Sequence, residues 1–324
     1  MLTALFWCIA GLAVLVAGAE IMVKSGTRVA ARLGLEPVVI GLTIVAIGTS
    51  MPELAVGVDA ALRGTGDLAV GNIAGTNIVN ILLIFGLSAL IAPLSLSMET
   101  LKFDLPMIAL ASFLLLLLAW DGRLTQTDGL ILLAVAIPYS WCVIRLARRE
   151  KASVRFEFAD EFSAPAGTRS AGSFRQDLIQ LLGGIVALIL SADWLVDGAV
   201  TLARLWNVSD AFIGLTIIAI GTSAPELVTT IVSTLRNQRD IAIGNLLGSS
   251  VYNIVFILGT TCLISPKPIL MGANLVRIDL PLMAAVALLC IPVFFSGKRV
   301  SRWEGGSFVL MYAIYLAYLV ITRT

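Results

Sequence analysis

The sequence is a succession of apolar runs, each close to the length of one bilayer crossing, and that pattern leaves few folds open. Hydrocarbon offers no water to peptide groups, so only helices and closed barrels cross it, and runs this long and this evenly apolar are helical. The runs centre near residues 12, 50, 80, 111, 137, 187, 223, 253, 285 and 312, so the chain is expected to be an all-α polytopic membrane protein with ten transmembrane helices. Hydrophobic residues make up 58% of the chain and charged residues 13%, a composition outside the soluble globular range. The first run, from residue 2 to 23, has no basic leader and no evident cleavage site, and is read as a retained span. Most of the 22 Lys and Arg residues fall in alternate loops, which predicts both termini outside, N-out/C-out.

Several function classes are excluded early. A net charge of +1 gives no basic patch for nucleic acid, and no phosphate-binding glycine loop for a nucleotide is present. The absence of histidine removes the commonest zinc ligand and proton relay. Cys8, Cys142, Cys262 and Cys290 stand singly in apolar segments and read as packing residues. "GTGD" at residues 64–67 fits a short string found in intramembrane aspartyl proteases, but it lies in a loop without a second catalytic aspartate. No cofactor is expected, and no obligate protein partner; the chain's surroundings are membrane lipid.

Inside the apolar runs the sequence repeats itself. "GLTIVAIGTSMPEL" from Gly41 returns as "GLTIIAIGTSAPEL" from Gly214, differing only at Val45/Ile218 and Met51/Ala224. "DLAVGNIAGTNIVNILLIFG" from Asp67 returns without a gap as "DIAIGNLLGSSVYNIVFILG" from Asp240, at the same offset of 173 residues. Glu20 falls opposite Asp193 in that frame, and, two residues out of it, "KFDLPM" at 102 resembles "RIDLPLM" at 277. The repeat unit is about five spans, giving one half at residues 1–148, a cytoplasmic linker at 149–175 rich in charge, Ser, Gly and Pro, and a second half at 176–324. Five is odd, so the second five-helix repeat crosses the membrane inverted relative to the first. Inverted repeats with helices interrupted at matching positions point to a secondary transporter with a midplane site.

The duplicated motifs carry the chemistry. Pro52 cannot donate to the carbonyl of Gly48, nor Pro225 to that of Gly221, so each helix is expected to break at membrane depth and leave carbonyls facing protein or a wet cavity. Glu53 and Glu226 stand beside the breaks, where a carboxylate costs about 2.5 to 3.5 kcal/mol on insertion scales. Around them are Thr49, Ser50, Thr222 and Ser223. Thr76 and Asn80 are four residues apart, as are Ser249 and Asn253, so each pair shares a helical face. Carbonyls, hydroxyls and two carboxylates are hard oxygen donors, the set suited to calcium and sodium. Taken singly, the hydroxyl and amide residues have a plainer role in interhelical hydrogen bonding, and the glycine pairs of "GNIAG" and "GNLLG" in close helix packing. Glu20, Asp193 and Asp197 lie towards span ends, and Asp67 and Asp240 suit helix N-termini.

With these motifs in view the chain resembles the cation/calcium exchanger superfamily, in its prokaryotic sodium/calcium exchanger branch, over nearly its whole length. The resemblance rests on "GLTIVAIGTSMPEL" with "GNIAGTNIVN" and "GLTIIAIGTSAPEL" with "GNLLGSSVYN". It implies a calcium:cation antiporter in which Glu53 and Glu226 are central ligands, with Thr49, Ser50, Thr222, Ser223, Thr76, Asn80, Ser249 and Asn253 completing the site; the compact, prokaryotic-looking chain makes the inner membrane the expected location. It also implies ten helices, the first and sixth sliding against a fixed core. The chain departs from the pattern at Asn253, where well-studied members carry an aspartate. An amide offers a carbonyl ligand but no charge, so the site holds two acids, not three. Sodium is the expected counter-ion; protons on the same glutamates are an alternative, and a passive cation channel is a reading of a different class.

Overall fold

In the structure, a computed structural model, the described residues are 1–35, 37–95, 100–149, 173–206, 219–295, 297 and 299–323. The expected linker therefore lies almost wholly outside them, as do residues 214–218 at the start of the second long motif.

The described chain is helical apart from four two-residue strands. In order, the helices are α1 (Leu2–Leu33), α2 (Val38–Arg63), α3 (Gly66–Ile91), α4 (residues 100–118), α5 (Gln126–Arg149), α6 (Phe174–Leu205), α7 (residues 219–235 as described), α8 (Arg239–Ile264), α9 (Leu275–Phe295) and α10 (Arg302–Arg323). All but α4 and α7 are long and apolar enough to cross a membrane, so the described residues hold eight candidate spans. The expectation of an all-helical, multi-pass membrane protein holds; residues directly preceding α4 and α7 lie outside those described.

Details of backbone geometry recur between the two halves. Helix α2 ends at Gly64, φ 76°, and α7 is followed by Asn237, φ 58°, both left-handed. The closing hydrogen bonds match: Thr65 N donates to Ala60 O at 2.9 Å and Gln238 N to Ser233 O at 2.8 Å. Glycine and asparagine are the residues that take this conformation at a helix end most easily. Both α3 and α8 widen into a π-helical stretch, Val79–Phe85 and Asn253–Leu258, and α4 and α9 begin on one, Thr100–Asp104 and Leu275–Asp279. Such wide turns are rare and cluster at functional sites.

The strands exchange partners between the halves. β1 (Leu94–Ser95) pairs antiparallel with β4 (Arg299–Val300), and β2 (Arg123–Leu124) with β3 (Ile269–Leu270). Leu94 faces Val300 and Arg123 faces Leu270 in the two registers. Each ribbon ties a connection of the first half to one of the second.

Helices α3 and α8 form the buried centre, with the main apolar cluster running from Ile73 and Ile84 to Val255 and Phe294. Helices α1 and α6 are peripheral and pack on each other along their length. Their approach is close: a Cβ on Gly184 would fall 2.9 Å from the Gly18 carbonyl oxygen. At one end the Asp177 carboxylate of α6 accepts from Arg28 Nε and Arg32 Nε of α1, both at 2.6 Å.

Candidate cation site

The first long motif and the described part of the second, from residue 219, fold as an interrupted helix. The turn Ala46–Thr49 stops at Ser50, φ −86° and ψ 10°, and the helix resumes at Met51 with Pro52 in its first turn. Ser223 has φ −86° and ψ 9°, and Pro225 sits in the first turn that follows. Proline is suited to that position because its nitrogen needs no partner there and its φ is already helical. Each interruption is one residue wide, and Leu54 N still reaches Ser50 O at 3.3 Å.

Gly48 and Gly221 also serve packing. Their missing side chains make room for α6: Gly48 faces Ile185, and Gly221 faces Val196. The Ala46 carbonyl accepts from Ser249 Oγ at 3.3 Å and lies 3.4 Å from Thr49 Oγ1.

Of the residues singled out from the sequence, Thr49, Ser50, Glu53, Thr76, Asn80, Ser223, Glu226, Ser249 and Asn253 are buried, and Thr222 is half-buried. The halves meet among them. Ser50 Oγ donates to Glu226 Oε1 at 3.2 Å, and Ser249 reaches across to the Ala46 carbonyl. The segment 51–63 carrying Glu53 packs on the wide turn that begins at Asn253, while 224–235 carrying Glu226 packs on the wide turn holding Asn80. Each glutamate helix is thus seated on the asparagine turn of the other repeat. Glu53 and Glu226 lie within electrostatic reach of each other.

What these side chains lack is as informative as what they have. Both oxygens of Glu53, Oε2 of Glu226, the Ser223 hydroxyl and both amide atoms of Asn80 and Asn253 are buried without a hydrogen-bond partner among the described residues. Neither glutamate is ion-paired to Lys or Arg among those residues. Buried polar groups are almost always partnered, and a buried charge without compensation is far too costly to persist. Two acid side chains, an unmatched hydroxyl and two unmatched amides form a donor set that fits a hard cation.

One contributor escaped the sequence reading. Asn245 is buried; its Oδ1 accepts from Thr49 Oγ1 at 3.1 Å and its Nδ2 donates to Thr230 Oγ1 at 3.4 Å. Asn245 belongs to "GNLLG", where the glycines draw attention to packing. The available signal was an amide duplicated in frame with Asn72 inside an apolar helix.

The sequence profile of the family described as "Sodium/calcium exchanger protein" matches residues 3–145 and 177–321, nearly the whole of both halves. The chain is 36% identical to inner membrane protein YrbG of Escherichia coli over 83% of this chain and 82% of that protein. It is 30% identical to sodium/calcium exchanger MaX1 of Methanosarcina acetivorans over 96% of each. Among solved structures, that of the sodium-calcium exchanger NCX_Mj soaked with sodium and calcium superimposes with a TM-score of 0.82 at 26% identity, covering 99% of this chain and 98% of that one. A transporter fold shared from end to end, built around two duplicated acid motifs that meet at its centre, places the chain in the sodium/calcium exchanger family of membrane antiporters.

Proposed function

We propose that the protein exchanges calcium for sodium across the inner membrane by alternating access, with both ions competing for one site around Glu53 and Glu226. The observation that carries this is the unmatched, buried carboxylate pair. Two glutamates of opposite repeats balance one divalent cation, and the surrounding Thr49, Ser50, Thr76, Asn80, Thr222, Ser223, Ser249 and Asn253 supply neutral oxygens that adjust coordination number. Sodium draws on the same oxygens, and its arrival and calcium's departure are coupled because one pair of charges serves both. The two relatives whose names state sodium and calcium support that ion pair for this chain.

The same reading takes the halves as inverted, with residues 1–148 and 176–324 as the two five-helix repeats and both termini outside. The strand ribbons support it. They join the α3–α4 connection to the α9–α10 connection, and the α4–α5 connection to the α8–α9 connection, so matching loops of the two repeats lie at opposite ends. A relative named as an inner membrane protein supports the location.

The test is calcium uptake by vesicles holding the purified protein under an imposed sodium gradient, a proton gradient, or neither. Uptake driven by outward-directed sodium is the expected result. Uptake driven by protons alone would overturn sodium coupling, and equal flux without any gradient would indicate a channel.

A further inference from the structure

The alternating-access reading leaves open what holds each end of the protein shut. At one end the structure gives a contact. Glu20 of α1 accepts a hydrogen bond from Arg236, at the end of α7, and another from Lys24 at 2.7 Å. Nearby, Thr27 Oγ1 donates to Gln238 Oε1 at 3.3 Å, and α1 packs along residues 224–235. The peripheral α1 is thereby fastened to the central helices at the Arg236 end.

The repeat offset of 173 residues carries Glu20 onto Asp193 of α6, and carries Arg63 onto Arg236. The second equivalence is structural as well as numerical. Arg63 precedes the left-handed Gly64 and Arg236 the left-handed Asn237, within matching helix-closing hydrogen bonds. From this we infer a pair of alternating latches: Glu20 with Arg236 at one end and Asp193 with Arg63 at the other, formed in turn as α1 and α6 move. This inference rests on the alternating-access reading above.

The structure holds the first latch closed and the second open. Among the described residues Arg63 Nε bonds within its own helix, to Asp59 at 2.9 Å, with both side chains exposed. Asp193 is exposed and makes no ion pair among the described residues, with Asp197 one turn further along. Helix α6 has no packing on residues 51–63 comparable to that of α1 on residues 224–235. Asp177 bound to Arg28 and Arg32 ties α6 to α1, so both shift as one body and release of one end brings the other together. Exposed ion pairs are individually weak. Weakness suits this task, because a transporter needs two end states of nearly equal free energy, each held only long enough to exclude an open passage.

Spin-label distances test the latches directly, in vesicles, with Cys8, Cys142, Cys262 and Cys290 replaced. Labels at Leu33 and Leu235 report the Arg236 end, and labels at Leu62 and Leu205 the Arg63 end; all four positions are exposed. Arg236→Glu is expected to lower the short-distance population of the first pair about three- to fivefold relative to the long, with the second pair moving oppositely. The swap Glu20→Arg/Arg236→Glu restores it. Arg63→Glu has the opposite effect, restored by Asp193→Arg/Arg63→Glu. Distances that alternate with calcium and sodium but ignore all four charges, or swaps that restore nothing, would overturn the latches alone. Distances that never alternate in the wild type would instead remove the alternating-access reading.

Discussion

Ser50 and Glu226 stand 176 residues apart, on opposite repeats, and meet through a 3.2 Å hydrogen bond from the serine hydroxyl to the carboxylate. Ser50 is also the one residue of α2 where the helix is interrupted. The same position therefore breaks one helix and orients the acid of the other. On the proposed reading each half supplies part of the donor set, and the duplication of the motif completes it.

Ser50→Ala removes that hydrogen bond from Glu226 Oε1. A hydrogen bond to a charged group contributes about 1.5 to 3 kcal/mol. The expected result is a calcium affinity lowered by about ten- to a hundredfold, read by calcium titration of the purified protein, with the fold intact by circular dichroism. Unchanged affinity would show that Glu226 is oriented by other means.

Glu53→Gln keeps the shape of the side chain and removes its charge. Breaking a compensated buried charge pair costs about 3 to 5 kcal/mol, or roughly two to four orders of magnitude in affinity. Calcium uptake is expected to fall to background while the variant still reaches the membrane. Glu226→Gln is expected to match it, since the repeats contribute one charge each.

Asn253→Asp adds a third acid where the wide turn of α8 meets the helix of Glu53. One more negative charge compensates one more monovalent cation, so the sodium dependence of calcium displacement should steepen and calcium should bind more tightly. Sodium competition curves at several calcium concentrations measure both. An unchanged slope would place Asn253 outside the site.

Asn245→Leu tests positioning. Asn245 takes the hydroxyl proton of Thr49 and donates to Thr230, which leaves the Thr49 lone pairs free to turn toward a cation. The leucine variant is expected to weaken calcium about tenfold while Asn245→Asp, which keeps the acceptor, retains more of the affinity. Equal losses in both would assign Asn245 to packing.

The crossing helices, the duplication and the interrupted motifs were legible in the sequence because each has a simple local cause. Apolar length dictates crossing, and Pro52 and Pro225 dictate where α2 and α7 break. Other features depend on partners that sequence spacing does not reveal. The wide turns at Asn80 and Asn253 shift the helical register locally, and nothing in "NIVNILL" or "YNIVFIL" marks them. Gly48 and Gly221 read as openers of the helix, but their faces are fixed by Ile185 and Val196 on a helix far away in the chain. Asn245 was hidden because an amide between two glycines looks like part of a packing motif until its hydrogen bonds across α2 and α7 are seen.

The central claim is that Glu53 and Glu226 jointly bind one calcium ion that sodium displaces. Equilibrium binding of radioactive calcium to the purified wild type, Glu53→Gln and Glu226→Gln, with and without sodium, measures this directly. The account predicts one saturable, sodium-displaceable calcium per wild-type chain and none in either variant. Calcium binding that survives in both variants with the same stoichiometry would contradict it.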